Sequence, residues 1–234
     1  MKIKIQREEL VEYQITSDDK TLLEVLNDIK SNLDASLTFS SGCRSSVCGS
    51  CAVRVNGREV LACSYHAKNG DIVEPLKNSE VIRDLVVNMD RAYEFNAKSK
   101  AWQSSSAKNI LLSPSDEKIN EIQSDCILCG ACYSACPVYA VNKEFLGPFS
   151  LTRVWRYVSD KREKEPKEKI DTIQTNGVWD CTLCNECTLV CPQDISSKAD
   201  IEKLRAKSSM AGYMDPSFSS FGGGFGNFDG SPTF

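Results

Sequence analysis

Apolar and polar residues alternate at the start of the chain, over residues 2–5 and again over residues 11–15. A period of two is typical of half-buried strands, so this pattern predicts two strands that can pair as a hairpin. The period then changes at Thr21-Leu22-Leu23-Glu24, which has the form of a helical capping box. Apolar residues follow it at helical spacing. The chain is therefore expected to begin with two strands and a helix.

A second hairpin is predicted further along. Residues 51–55 and 59–62 are rich in apolar residues, and Asn56-Gly57-Arg58 between them is a turn signal. Together with the first elements they make a small α+β domain, which we place at residues 1–95. The order of its elements looks like the β-grasp fold of [2Fe–2S] ferredoxins.

The rest of the chain divides by composition. Residues 96–114 are rich in Ser, Lys and Ala and predict a connector. A mainly helical domain is expected over residues 115–207, with Ser115 as its first N-cap, and the charged run 161–169 is interpreted as a solvated face between helices. Residues 208–234 are a Gly/Ser tail that carries five of the nine phenylalanines. We expect this tail to be disordered in isolation or to dock on a partner.

Twelve cysteines fall into three runs. The first run has the ligand spacing of a plant-type [2Fe–2S] ferredoxin, and the other two form the paired run of a two-cluster [4Fe–4S] ferredoxin, in which the fourth Cys of each run ligates the other run's cluster. Three candidate sites follow. The first site is Cys43, Cys48, Cys51 and Cys63; the second is Cys126, Cys129, Cys132 and Cys191; the third is Cys136, Cys181, Cys184 and Cys187.

Thiolate ligands suit this interpretation, because the iron of such clusters binds soft anionic sulfur. Gly42 and Gly49 beside the first run let the backbone approach closely and point N–H groups at the sulfurs. A disulfide scaffold is the weaker alternative, since the chain's start has no apolar signal-peptide segment. Zinc is the stronger rival, but each later run places four thiolates on one tight loop, more than a zinc half-site supplies. Reduced thiolates favour a reducing, cytoplasmic location.

Composition narrows the function further. A net charge of −4 over 234 residues gives no electrostatic footprint for nucleic acid. No apolar run approaches the roughly 20 residues that span a bilayer, so a membrane role is expected to come through partners. His66 is the only histidine, which disfavours a His-based catalytic or metal site. We therefore expect an electron carrier with no substrate-binding active site of its own, with Trp155, Tyr157 and Trp179 packing near its clusters.

Three motifs, in order, carry a family resemblance. Ser41-Gly-Cys-Arg-Ser-Ser-Val-Cys-Gly-Ser-Cys51, Leu61-Ala-Cys63 and Cys126-Ile-Leu-Cys-Gly-Ala-Cys132 followed by Cys136-Pro137 resemble the iron–sulfur subunit of succinate dehydrogenase and fumarate reductase. The resemblance covers roughly residues 1–207. It implies a partner flavoprotein subunit that carries FAD and interconverts succinate and fumarate. Electrons would move between that flavin and a membrane quinone through the [2Fe–2S] and the two cubane-type clusters.

Two departures from the family pattern refine what it implies. Familiar members have a non-Cys residue at the position of Cys184 and hold a [3Fe–4S] cluster there, so this chain is expected to hold [4Fe–4S], with [3Fe–4S] as the alternative. Tyr139 and Thr182 stand at the positions of a Trp and a His near the quinone. In both departures the chain resembles a non-classical branch of this family, whose membrane partner is a cysteine-rich subunit. The expected location is the cytoplasmic face of the membrane, held there by partner subunits.

Two other functions compete with this interpretation. The chain could serve a different flavoprotein, one that oxidises glycolate or reduces a thiol- or heterodisulfide-coupled acceptor. It could also be a free-standing ferredoxin-like carrier, although a diffusing carrier needs neither the two-domain layout nor the aromatic tail.

Overall fold

The structure, a computed structural model, describes residues 1–16, 19–104 and 110–219. Its N-terminal part contains a five-stranded sheet with the strand order β2-β1-β5-β3-β4. The only parallel pair among these neighbours is β1 with β5, and the other three pairs are antiparallel. The strands are β1 (Lys2–Gln6), β2 (Leu10–Gln14), β3 (Ala52–Val55), β4 (Arg58–Leu61) and β5 (Ile72–Glu74), and helix α1 (Leu22–Asn32) follows β2. A separate pair, β6 (Val81–Arg83) and β7 (Val86–Val87), lies after the sheet.

Both predicted hairpins and the predicted helix are confirmed. Ile3 pairs with Tyr13 in the first hairpin, and Val53 pairs with Val60 in the second. The turn of the second hairpin has φ of 50° at Asn56 and 86° at Gly57, the left-handed pair that a two-residue type I′ turn requires. The Thr21 hydroxyl accepts from the Glu24 N–H while the Glu24 side chain accepts from the Thr21 N–H, so the capping box is complete.

The first hydrophobic core lies between α1 and the sheet. The helix buries its apolar face, and the inward-facing residues of β1, β3 and β5 meet it. This core contains Ile3, Ile5, Leu22, Leu26, Ile29, Val53, Val55 and Val73. Burial of each of these large side chains contributes about 1.5–3 kcal/mol to the stability of the fold relative to exposure. The packed sheet holds in place the loop between α1 and β3, which carries three cysteines of the first site.

The C-terminal part is helical, as predicted. The helices are α2 (Asp90–Lys98), α3 (Pro114–Glu117), α4 (Glu121–Ser124), α5 (Ala131–Ser134), α6 (Pro137–Val141), α7 (Pro148–Val158), α8 (Pro166–Thr172), α9 (Glu186–Leu189), α10 (Ser197–Met210) and α11 (Pro216–Ser219). Helices α7 and α10 pack against each other over a second core. Several short helices begin at a proline, whose fixed φ suits the first turn.

One predicted cap was wrong by two residues. Ser113, not Ser115, is the N-cap of α3, and Asp116 completes a capping box with it. The reason is Pro114, which occupies the first helical position and so moves the start of the helix toward the N-terminus. The Ser115 hydroxyl instead lies 2.8 Å from that of Ser113.

The interpretation of the charged run 161–169 as a solvated face was also wrong for two of its residues. Lys169 and Glu163 are 1% and 3% exposed and form an ion pair of 3.3 Å. Glu163 additionally accepts from the backbone N–H groups of Ser104 and Glu165. A buried carboxylate needs such partners, so this pair ties the segment after α2 to α8.

Helix α2 packs in the second core, through Ala92 and Phe95. The predicted domain boundary at residue 95 falls within this helix, and the division of the chain there stays a prediction. Helix α10 runs to Met210, three residues past the predicted end of the helical domain, because Ser208 is buried and accepts from Gln174. The predictions for the phenylalanine side chains of the tail lie outside the described residues. No helix in the described ranges has the length and apolarity needed to cross a membrane.

Candidate metal centres

The first site is a loop whose backbone N–H groups point at sulfur. Cys43 Sγ accepts from the N–H groups of Ser45, Val47 and Cys48 at 3.4, 3.3 and 3.2 Å. These donors stabilise the thiolate and lower the pKa of Cys43 to about 6. The predicted role of this loop, in which backbone donors surround sulfur, is confirmed for Cys43.

Cys51 and Cys63 complete the same site from the two ends of the second hairpin, just before β3 and just after β4. Cys63 Sγ accepts from the Ser46 N–H at 3.3 Å. Burial raises the pKa of Cys51 to about 11, and the neighbouring thiols of Cys63 and Cys48 raise it further. The structure therefore brings all four cysteines of the first site together, two of them exposed (Cys43 and Cys48) and one buried (Cys51).

Left-handed backbone makes this loop possible. Arg44 and Ser46 each have φ of 61°, and Gly49 has φ of 71°. Left-handed residues at intervals along a loop turn neighbouring N–H groups toward one centre, which is the arrangement that binds anions. Gly42 is needed for a second reason, since a Cβ there would lie 2.8 Å from the Cys48 sulfur.

The second site is a small cavity. All four predicted cysteines line it, together with apolar residues of α7 and of the segment before α10. Its lining includes Cys126, Cys129, Cys132, Cys191, Phe149, Thr152 and Ile195. Burial raises the pKa of Cys129 to about 12 and that of Cys132 well above its usual value, and the neighbouring thiols raise both further. Metal coordination would offset this cost, because bound thiolates share their charge with the metal.

The third site brings together the crossing cysteine of the second run, Cys136, and the first three cysteines of the third run. Cys136 lies close enough to Cys181 and Cys184 for their charges to raise its pKa, which burial first raises to about 11. Cys187 is surrounded by Cys181, Cys136 and Cys184 in the same way, and burial raises its pKa to about 12. The crossed arrangement expected from the spacing is therefore present in the positions of the thiols. Cys184 is exposed, whereas Cys136 and Cys187 are buried.

The two runs have the same local backbone. Leu128 and Leu183, each two residues after the first cysteine of its run, both have φ of 55°. Gly130 and Asn185 are both left-handed N-caps, of α5 and α9. One repeated loop geometry thus presents three cysteines in each run, and the fourth follows after a single turn of helix.

The three sites lie in series. A Cβ built on Gly49 would lie 2.7 Å from Cys129 Cβ, so the first-site loop touches a second-site ligand through backbone. Cys187 of the third site lies near enough to Cys132 of the second to raise its pKa. The order along the molecule is first, second, third.

The cysteines fit iron–sulfur clusters by donor type. Every predicted ligand is a thiol, the first site has N–H donors directed at sulfur, and the second has a cavity lined by four thiols. Within residues 1–16, 19–104 and 110–219, no three His, Cys, Asp or Glu side chains have the arrangement of a single-ion site. The fit therefore rests on the thiols, their hydrogen bonds and the cavity.

A polar link between the two parts of the chain was not predicted from the sequence. Asn78 Nδ2 lies 2.9 Å from the carbonyl oxygens of both Tyr133 and Ser134 and 3.3 Å from that of Cys136. The Ser134 hydroxyl donates to Glu59 Oε1 at 2.7 Å. These bonds satisfy the last carbonyls of α5 from another domain. No spacing rule indicates them, because the partners are more than fifty residues apart.

Tyr139 and Thr182, which were predicted to stand where a Trp and a His lie near a quinone, differ in their surroundings. Tyr139 is 1% exposed and packs edge-on against Tyr133, with the Arg91 guanidinium 4.0 Å from its ring centre. Thr182 is exposed beside the third site. Trp155 is buried in the second core, and the half-buried Trp179 packs against that core. His66 is exposed.

Two families of iron–sulfur domains match separate parts of the chain. Residues 2–94 match a 2Fe-2S iron-sulfur cluster binding domain, and residues 122–195 match a 4Fe-4S dicluster domain. The iron–sulfur subunit of the 8-methylmenaquinol:fumarate reductase of Wolinella succinogenes is 39% identical over 86% of this chain and 68% of its own length. The fumarate reductase iron–sulfur subunit of an Escherichia coli O6:H1 strain is 36% identical over 84% of this chain and 85% of its own.

A solved structure supports the fold. A chain of the Mycobacterium smegmatis Sdh1 complex in the apo form matches with a TM-score of 0.81, at 22% identity, over 92% of this chain and 98% of that one. The fold and its cysteine sites define an iron–sulfur protein of electron transfer, built from a [2Fe–2S] ferredoxin domain and a dicluster domain. The chain belongs to the family of iron–sulfur subunits of fumarate reductase and succinate dehydrogenase, so the predicted resemblance is confirmed.

Proposed function

We propose that the chain relays electrons between a FAD-containing flavoprotein subunit, where succinate and fumarate interconvert, and a membrane-associated, quinone-reactive partner. Substrate chemistry then takes place on the flavoprotein, and the chain contributes ligands, spacing and docking surfaces. The proposal is supported by the family membership and by the Wolinella relative, which is a subunit of an 8-methylmenaquinol:fumarate reductase.

One structural observation carries the proposal: the two outer sites have exposed cysteines and the middle one is enclosed. Cys43 and Cys48 are exposed in the first site and Cys184 in the third, whereas all four second-site cysteines are half-buried around a cavity. Exposed apolar residues accompany both outer sites, Val47 at 65% and Leu189 at 60% exposure. A chain that exchanges electrons with two partners needs two such ends.

We assign a [2Fe–2S] cluster to the first site and [4Fe–4S] clusters to the second and third. Such clusters, when bound, accept and release single electrons. The protein's own part is to hold the sulfurs, to donate N–H groups to them and to exclude water at the second site. The proximity of Cys184 to Cys136 and Cys187 supports four protein ligands at the third site, which favours [4Fe–4S] there over [3Fe–4S].

The experiment is anaerobic purification of the native complex through a tag on this chain. We expect a flavoprotein with bound FAD to co-purify, and the complex to catalyse succinate-dependent dye reduction and fumarate-dependent oxidation of a reduced viologen. EPR of the reduced complex should show one [2Fe–2S] and two four-iron signals. Chelation of iron should abolish both reactions, since thiolate sites do not function without metal.

A different outcome would redirect the proposal. A co-purifying flavoprotein without succinate or fumarate activity, active instead with glycolate or with a thiol-coupled acceptor, would contradict the substrate assignment and keep the relay. Purification as a single chain with three intact clusters would contradict the subunit role. The location at the cytoplasmic face of the membrane is part of the proposal and is tested by recovery of the complex with the membrane fraction.

A further inference from the structure

Arg205 of α10 holds the segment that leads into the third site. Its Nε donates to the carbonyl of Val178 at 2.8 Å, and its Nη2 donates to those of Trp179 and Cys181 at 3.3 and 2.6 Å. The guanidinium carbon also lies 5.7 Å from the centre of the Trp179 ring. One side chain thus binds three backbone carbonyls within four residues, the last of them that of the predicted ligand Cys181.

The charge of Arg205 is not neutralised by an ion pair. Among the described residues, Arg205 has no carboxylate within ion-pair distance, and its three hydrogen bonds all go to backbone carbonyls. Burial raises the pKa of Cys181, while the Leu183 N–H and the Arg205 charge oppose that rise. The half-buried guanidinium therefore acts electrostatically on this thiol, in a site that is only partly screened by water.

Two carboxylates oppose this charge without forming an ion pair with it. Asp215, whose pKa is lowered mainly by the Ser217 backbone N–H, also lies within electrostatic reach of Arg205, and Glu202 lies on the same helix as Arg205. Glu202 is exposed and raises the pKa of Cys181, and its carboxylate is paired with Lys198 at 2.8 Å. Lys203, the other nearby cation of α10, is paired with Asp200 and lies over the Trp155 ring. Arg205 is thus the unpaired cation that this helix directs at the third site.

The second site has a counterpart on α7. The Arg153 guanidinium lies close enough to Cys126 to lower that thiol's pKa against the larger effect of burial. Arg153 donates only to the Tyr157 hydroxyl, at 3.3 Å, and its Nε has no hydrogen-bond partner among the described residues. Each run thus has one arginine near its first cysteine, and Arg153 is a matched control for Arg205.

We propose that Arg205 is a positioning residue that also raises the reduction potential of the third-site cluster. The inference rests on the cluster assignment of the proposed function. One-electron reduction adds a negative charge to the site without making or breaking a bond, so an unpaired cation close by stabilises the reduced state more than the oxidised one. A higher potential at the exposed end would draw electrons away from the enclosed second site toward the partner that meets Cys184.

The test is an EPR-monitored redox titration of the tagged native complex with Arg205→Gln, Arg205→Lys and Arg153→Gln. Arg205→Gln should make reduction of the third-site cluster about tenfold less favourable, a shift of about 59 mV to lower potential for a one-electron couple. Arg205→Lys keeps the charge and should recover most of the shift. Arg153→Gln should leave the third-site potential unchanged, and the first-site potential should be constant throughout.

A charge-only variant covers the case in which Arg205→Gln fails to assemble. Glu202→Gln removes the exposed opposing charge without touching the backbone carbonyls, and it should move the third-site potential upward by a smaller amount. Equal third-site potentials in wild type and Arg205→Gln would overturn the electrostatic role. So would a fall in potential in Arg205→Lys as large as that in Arg205→Gln, if the potential also fails to respond to Glu202→Gln. A wild-type spectrum that lacks the second four-iron signal would instead overturn the third-site assignment itself, and this inference with it.

Discussion

The second and third sites are built from the same loop and placed in different surroundings. Leu128 and Leu183 have the same φ, and Gly130 and Asn185 cap equivalent helices. Yet the second site lies in a cavity between α7 and the first-site loop, while the third reaches the surface at Cys184. Local sequence sets how each loop presents its thiols, and the neighbouring elements set what each site can do.

This difference assigns separate physical tasks to the two runs. Exclusion of water around the second site strengthens electrostatic interactions there and ties its ligands into the protein's interior. Exposure of the third site lets a partner approach one ligand directly. The contrast leads to three predictions. In each, similar substitutions at two places, either in the two runs or at Gly49 and Gly70, should differ in their effect on the clusters or on stability.

The largest contrast is expected between Cys132→Ala and Cys184→Ala. Cys132 lines the enclosed site and is one of its predicted ligands. If chelation there replaces part of a conventional core, loss of Cys132 should remove the second-site cluster and most of the soluble chain. Cys184 is exposed, and its loss leaves three thiols that can hold a [3Fe–4S] cluster. We expect Cys184→Ala to accumulate within about twofold of wild type.

Low-temperature EPR of the oxidised complexes measures this contrast, together with the yield of soluble protein. The signature of the Cys184→Ala complex should be a [3Fe–4S] signal that is weak or absent in wild type. Wild type with a full [3Fe–4S] signal, in the absence of oxidative damage, would remove Cys184 from the ligand set. Equal yields of the two variants would contradict a structural role for the second site.

Much of this architecture could be predicted from the sequence. The cysteine spacings give the three ligand sets, and Asn56-Gly57 and the Thr21 box mark a turn and a helix start that the structure confirms. Each of these signals acts over a few residues, where backbone geometry allows few solutions. The family relationship then follows from the order of the motifs.

Features that depend on distant partners could not be predicted. The buried pair of Lys169 with Glu163 lies in a run that reads as solvated, because only the fold brings Ser104 and α8 over it. Asn78 caps α5 across more than fifty residues of sequence. Ser113 could have been identified locally, since the following Pro114 favours the first helical position.

A second contrast compares two glycine variants, Gly49→Ala and Gly70→Ala. It separates the effect of the contact between the first and second sites from the effect of left-handed backbone strain alone. In Gly49→Ala the new Cβ would lie 2.7 Å from Cys129 Cβ and 3.0 Å from the carbonyl oxygen of Ile127, at φ of 71°. Gly70→Ala has a similar φ of 90° and nothing within 4 Å. Left-handed strain costs about 1–2 kcal/mol in each variant, and overpacking adds about 1–3 kcal/mol only at Gly49.

Thermal unfolding of the anaerobic complexes measures the difference. With about 2–4 °C per kcal/mol for a chain of this size, Gly49→Ala should melt several degrees below Gly70→Ala. Magnetic coupling between the first- and second-site signals should weaken only in Gly49→Ala, because only that change pushes the two loops apart. Equal melting temperatures with unchanged coupling would contradict close contact of the two sites.

The smallest contrast exchanges the left-handed caps of the two runs. Gly130→Asn places a side chain where a Cβ would meet Met89 Cε at 2.6 Å and Leu76 Cδ1 at 3.4 Å. Met89 can move in part, so we expect a cost of about 1–2 kcal/mol, or a melting temperature lower by about 2–8 °C. Asn185→Gly only removes a half-buried side chain at φ of 73°, a conformation that glycine adopts readily, and should cost a few tenths of a kcal/mol.

A double variant tests whether the surroundings cause this inequality. Met89→Ala should cost stability alone but should reduce the penalty of Gly130→Asn, because it removes the atom that the new Cβ meets. If the two changes are additive, the clash with Met89 is not the cause. If Asn185→Gly is as harmful as Gly130→Asn, the two caps differ in backbone preference and not in packing. Otherwise the enclosed run tolerates only glycine at its cap because Met89 and Leu76 pack on it, and the exposed run accepts asparagine because its cap has room for a half-buried side chain.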